Sequence, residues 1–220
     1  PPPTALNKLP KIFIIGHGIL TERFIDLGSE KHPHRFVWSS SPDRGLEQLL
    51  ELWPKIRVAI PDAELKIFYG WEYFDSTLFI PQQRELKRKI LELIKQDGVE
   101  WVGRVNQTTL IEEFKKAGIW LYPPPHDFRE TFCITALEAQ AAGILCFYRM
   151  NGALGETVGD RGIAIPLTAT QDEIVGCVSN LLTNRELCDT ILRKARDWAM
   201  TQTWESKARK LLEVYERLKP

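Results

Sequence analysis

Short β-rich runs alternate with longer stretches of helical period along most of this chain, and that alternation constrains its fold more than any single residue does. The strand-like runs fall at 11–15, 36–38, 65–69, 99–102, 119–122, 144–147 and 162–165, several of them apolar on both faces, as strands covered by helices on either side must be. Between them, Leu46, Leu49, Leu50, Trp53 and Ile56 recur at steps of three and four, as do Leu86, Ile90, Leu91 and Ile94, and again Leu110, Ile111 and Phe114. Alternation of this kind requires crossover helices, so the expected fold is α/β: a Rossmann-like, doubly wound, mainly parallel sheet of about six strands. From Gln171 onward the pattern is helical without interruption. The expected organisation is therefore an opening linker with a first short strand over 1–34, a Rossmann-like domain over 35–170, and helices over 171–220 that pack on it.

Lys and Arg number 29 and Asp and Glu also 29 among 220 residues, so the chain offers no global field to a polyanion. Sequence-independent nucleic-acid binding is excluded as its main business. No apolar run approaches the roughly 20 residues of a membrane helix, and Pro1-Pro2-Pro3-Thr4 does not read as a secretory signal. Cys133, Cys146, Cys177 and Cys188 are spaced 13, 31 and 11 apart, which matches no short zinc-ligand pair. Free thiols in a reducing compartment fit better than disulfides, and the expected location is cytoplasmic.

The densest candidate site is the stretch from Pro123 to Gly143, PPPHDFRETFCITALEAQAAG. Three prolines after a strand make a stiff loop at that strand's carboxyl end, where open α/β sheets bind ligands. Thr131 reads as the N-cap of the following helix, which would leave the amides of Phe132, Cys133 and Ile134 free, with the positive end of the helix dipole behind them. That arrangement suits a pyrophosphate. Glu130 and Glu138 stand at the two ends. Eight residues at about 1.5 Å each would separate them by roughly 12 Å were the segment fully helical. That is too far for a paired acid and base on one bond, since even inverting glycosidases keep their carboxyls within about 9.5 Å. Each carboxylate suits adjacent hydroxyls instead, one on a sugar and one on a ribose.

Glu130-x7-Glu138, followed by Ala-rich sequence and Gly143, resembles the signature of the family-4 (group 1) retaining glycosyltransferases, which have the two-domain GT-B fold. The resemblance covers essentially the whole chain, but only to the carboxyl-terminal, donor-binding half of such an enzyme. Ile14 to Phe24 is similar to the family's segment entering that half, Phe36-Val37-Trp38 to its first strand, and Pro42-Asp43-Arg44-Gly45-Leu46 to the turn opening its first helix. Trp101-Val102-Gly103-Arg104-Val105 resembles its turn near the base, and Asn151-Gly152-Ala153-Leu154-Gly155-Glu156 its glycine-rich loop.

The resemblance implies roles. Glu138 would hold the ribose hydroxyls and Glu130 the transferred sugar. The backbone of Thr131, Phe132, Cys133 and Ile134 would bind the diphosphate, Arg44 would neutralise its oxygens, and Arg104 and Val105 would border the base. The family usually carries an arginine where this chain has Ser39, so the hydroxyls of Ser39 and Ser40 would replace one positive charge. The implied chemistry is metal-independent transfer of a hexose-type sugar with retention, from a UDP- or GDP-linked donor and without a cofactor. The acceptor would be a glycan or another molecule held by an amino-terminal half that lies outside these residues.

Other readings stay open at this level. Arg44 also suits a solvated turn, Arg129 a surface ion pair, and His126 an exposed loop as well as a sugar contact. His17, between Gly16 and Gly18, reads as a hinge, because a dinucleotide fingerprint needs a third glycine opening a long helix. Most of the seven tryptophans read as core. The aromatics of Gly70-Trp71-Glu72-Tyr73-Phe74, after a strand, suit either a cleft wall or a fold over the sheet. Two alternatives of other classes are half of a nucleotide-sugar 2-epimerase, which needs acid and base carboxylates across a cleft, and a non-catalytic scaffold, for which Ser39 is the supporting feature.

Overall fold

The computed structural model describes residues 12–28, 30–125 and 127–218. Six strands, β1 (His32–Trp38), β2 (Glu64–Ile67), β3 (Val99–Trp101), β4 (Ala117–Tyr122), β5 (Leu145–Arg149) and β6 (Ile163–Ile165), form one sheet in the order β3-β2-β1-β4-β5-β6. Every neighbouring pair is parallel. The chain winds outward first through β2 and β3 and then, after crossing back, through β5 and β6. The order therefore reverses between β1 and β4, and a crevice opens there at the carboxyl ends. The carboxyl half of β1 and the whole of β4 are apolar and buried: Phe36, Val37 and Trp38 are inaccessible, and so is nearly all of β4.

The first expected strand does not form. Residues 12–15 pair with no other strand, Ile12 and Ile14 are exposed, and Lys11 lies outside the described residues. An apolar run becomes a strand only where it lies along a sheet edge, but this segment leads to the start of the last helix, where Gly18 and Ile19 meet Thr203 and Trp204. This leading segment instead makes one bridge from Ile19 to Thr203, with the Ile19 amide donating to the Gln202 carbonyl at 2.9 Å.

Right-handed crossovers place the helices of the two windings on opposite faces. On one face, α1 (Leu46–Ala59) packs against α3 (Pro81–Leu93), with the short α2 (Glu72–Asp75) before it, and against α7 (Gln171–Leu182). On the other, α5 (Ile134–Ala141) packs against α4 (Gln107–Lys116) and α8 (Arg185–Ala199), while the short α6 (Leu154–Thr157) follows β5. The last helix, α9 (Trp204–Leu218), buries none of its residues. The periodic residues of α1 are all inaccessible, although Pro54 sits inside the helix. Proline has no amide for the carbonyl of residue 50. The Gln96 side chain supplies the missing donor, reaching the Leu50 carbonyl at 3.0 Å.

Candidate functional site

At the switch point, the loop after β1 meets the loop after β4. Gly45 adopts φ 115°, which only glycine takes without strain. A Cβ on it would lie 2.6 Å from the Pro123 carbonyl oxygen. This contact brings Arg44 into the polyproline loop. Its guanidinium stands 5.4 Å over the Phe128 ring, and Nη1 lies 3.8 Å from Glu130 Oε2.

A second glycine clamps the same loop from the β5 side. Gly152, at φ 56°, would place a Cβ 2.2 Å from the Glu130 carbonyl oxygen, which also accepts the Ala153 amide at 2.8 Å. Asn151 Nδ2 donates to the Pro125 carbonyl at 3.2 Å, and Arg129 Nη1 lies 3.3 Å from Asn151 Oδ1.

Thr131 is not the N-cap. The helix begins at Ile134 with Cys133 as its cap residue, and Thr131 is an exposed bend whose own amide donates to Glu130 Oε1 at 3.2 Å. The unpaired first-turn amides thus belong to Ile134, Thr135 and Ala136, two residues later than sequence spacing suggests. Burial together with the nearby Glu130 charge pushes the Cys133 thiol up to about 12. The physical reason is Phe132. Its ring packs on His17 at 4.9 Å between centroids, which pulls residues 131 and 132 out of helical conformation. Since 130–133 are not helical, the helical rise does not set the spacing of Glu130 and Glu138.

The two carboxylates sit in different surroundings. The Glu130 side chain is 2% exposed and accepts the Tyr122 hydroxyl at 3.0 Å on Oε2. Glu138 accepts Gln107 Nε2 at 2.8 Å and lines a cavity of about 190 Å³ with Ile19, Arg23 and Trp204. Desolvation raises its pKa to about 7. A second cavity of about 340 Å³ contains Thr131, Phe132, His17, Glu156 and Lys207. The leading segment crosses between these two openings, over the start of α5.

The remaining expected residues are dispersed. Ser39 is half-buried; Ser40 is buried, and its carbonyl accepts Trp38 Nε1 at 2.7 Å. Arg104 is exposed, 4.8 Å over the Tyr73 ring, and Val105 is half-buried. Trp71 stacks on Trp101 at 4.6 Å, which makes the aromatic segment after β2 a fold over the sheet edge. His126 lies outside the described residues. Sequence reasoning missed Tyr122, Gln107 and Asn151. Tyr122 reads as one more apolar strand residue, and only its seat at the end of β4 points its hydroxyl at Glu130.

The comparisons with known proteins fall in line with this geometry. Residues 34–198 match the family described as glycosyl transferases group 1. The chain belongs to this family. Among curated proteins, this glycosyltransferase chain is 24% identical over 178 residues to the lipopolysaccharide 1,2-N-acetylglucosaminetransferase of Salmonella typhimurium, covering 79% of itself and 45% of that protein. Among solved structures it superposes with a TM-score of 0.71 and 17% identity on a glycosyltransferase from Rickettsia africae, covering 94% of itself and 57% of that chain. HepE of Anabaena, solved in complex with UDP and glucose, superposes with a TM-score of 0.66 and 16% identity, the match covering 84% of this chain and 48% of HepE. The glycosyltransferase chain thus spans about half the length of these relatives. Its parallel Rossmann-like sheet corresponds to the carboxyl-terminal, donor-binding half of the GT-B fold. No helix among the described residues is long and apolar enough to cross a membrane.

Proposed function

We propose that this chain is the donor-binding half of a retaining glycosyltransferase that takes a hexose-type sugar from a nucleotide diphosphate, with the acceptor held by a half outside these 220 residues. The observation that carries this reading is the convergence at the switch point of a cation, Arg44, a carboxylate, Glu130, and the amide-bearing start of α5. A diphosphate laid on that helix end meets unpaired N–H groups, the positive end of the dipole and one guanidinium. These groups stabilise the charge that develops as the sugar–phosphate bond breaks, and the leaving phosphate oxygen takes the acceptor proton. The positive charge supplied by the chain itself makes a metal unnecessary.

Glu138 and Gln107 form the ribose end. Ionised Glu138 accepts two adjacent hydroxyls, and the turn at Arg104 and Val105 leads directly into Gln107, which puts the base beside it. Glu130 takes hydroxyls of the transferred sugar. The UDP bound to HepE favours a uridine donor here, ahead of a guanosine one.

Isothermal calorimetry with UDP, GDP, UDP-glucose, UDP-N-acetylglucosamine and GDP-mannose tests the reading. One nucleotide series should bind saturably, and Glu138→Ala should weaken it at least tenfold. Absence of binding by every member, or equal affinity in the variant, would overturn the assignment.

A further inference from the structure

Glu130 faces an electrostatic difficulty that its surroundings resolve. Its carboxylate is removed from solvent, and its closest cation is the Arg44 guanidinium at 3.8 Å, which stays 43% exposed. Arg44 is also the group best placed to meet an arriving diphosphate. Once the diphosphate draws Arg44 away, the buried carboxylate must hold its orientation by other means.

Two donors remain. One is the Thr131 amide on Oε1 at 3.2 Å, which moves with the loop. The other is Tyr122 Oη on Oε2 at 3.0 Å, which cannot move. The Tyr122 ring is fully buried in β4, stacked on Trp120 at 4.8 Å and 10° and on Trp38 at 5.4 Å and 24°. Those partners belong to the two central strands, so the hydroxyl is fixed to the most rigid part of the sheet. Burial and the adjacent Glu130 charge keep the phenol protonated, so it acts only as a donor toward the carboxylate.

We propose that Tyr122 is the positioning residue of Glu130: its hydroxyl holds the carboxylate aimed while Arg44 is exchanged between Glu130 and the donor diphosphate. The inference rests on the donor-domain reading and deepens it. Tyr122 acts on the sugar through Glu130 and not on the diphosphate. Its loss should therefore cost the sugar part of the affinity and spare the nucleotide part.

Tyr122→Phe keeps the stacked ring and deletes one oxygen. The probes are the sugar nucleotide that binds most tightly in the panel above and its parent diphosphate without the sugar. For the parent protein, Tyr122→Phe and Glu130→Gln, calorimetry gives the ratio of the two affinities. Tyr122→Phe should cut sugar-nucleotide affinity about tenfold, the scale of one hydrogen bond to a charge. It should leave diphosphate affinity within about twofold. If both ligands weaken together, Tyr122 is only a packing residue and the proposal falls. If Glu130→Gln removes the sugar increment and Tyr122→Phe does not, this inference alone is overturned. If neither probe binds the parent protein, the donor-domain reading goes, and this inference with it.

Site-specific 3-fluorotyrosine at 122 covers poor folding of the Phe variant. A more acidic phenol is a stronger donor, so the sugar-nucleotide affinity should hold or rise while the diphosphate affinity stays unchanged; a loss of the sugar increment counts against the proposal.

Discussion

Gly45 approaches Pro123 so closely that a Cβ would sit 2.6 Å from the proline's carbonyl oxygen, and this one contact sets Arg44 beside Glu130. Gly45→Ala therefore meets a backbone atom and, at φ 115°, a conformation that side chains avoid. Strain and clash together should cost about 2–4 kcal/mol. Urea denaturation measures the stability loss, and diphosphate affinity should fall with it as Arg44 shifts; a fully stable variant would show that the two loops are not locked together.

On the proposed reading, Glu138 makes donor binding depend on pH. Its pKa is raised to about 7, well above the unfolded value near 4.5. The ionised form is the one that accepts hydroxyls, so donor affinity should weaken as pH drops from 8 to 6. The same shift has the opposite sign for stability. A carboxyl whose pKa rises on folding favours the fold at low pH and weakens it as pH climbs through 7. Glu138→Gln should thus stabilise the protein by about 1–3 kcal/mol at pH 8, with the gain vanishing near pH 5. Thermal melts at the two pH values decide; a pH-independent effect would mean that Glu138 does not titrate in this range.

Arg44→Gln should weaken diphosphate binding by about ten- to a hundredfold, since hydrogen bonds to phosphate lose their charge assistance. Arg44→Lys should recover part of this, because a lysine restores the charge but not the planar fork. Nucleosides without phosphate should bind all three forms alike. Calorimetry with uridine against UDP separates these cases, and equal losses for both ligands would remove Arg44 from the phosphate site.

If Arg44 and the α5 amides supply the positive charge as proposed, EDTA should leave donor affinity unchanged. A loss restored by magnesium or manganese would show that the diphosphate needs a cation from solution.

Away from the site, Gln96→Ala leaves the Leu50 carbonyl opposite Pro54 without a donor. The expected cost is about 1–2 kcal/mol, a drop of about 2–6 °C in Tm. Restoring the helix bond with Pro54→Ala in the same chain should reduce the penalty. Additive effects would show that the two residues are not partners.

Much of the fold is legible in the sequence because its signals are local. The periodic leucines of α1 and the two-sided apolar runs of β1 and β4 each carry their own pattern, and parallel strands joined by helices leave few topologies open. The run at 12–15 carries the same kind of pattern and forms no strand, because pairing depends on a free edge that local sequence does not announce.

The candidate site divides in the same way. Its loop, its helix and the two acids are adjacent in the chain, so sequence alone locates them. What it does not contain is their environment. Spacing puts the helix start at Thr131, whereas contact between Phe132 and His17, more than a hundred residues away, delays it to Ile134. Glu130 and Glu138 look equivalent on paper. The end of β4 places a phenol against one, and the leading segment with Gln107 covers the other. Local pattern determines which elements form. Desolvation and hydrogen bonding across distant segments decide how each charge behaves, and those contacts exist only once the chain has folded.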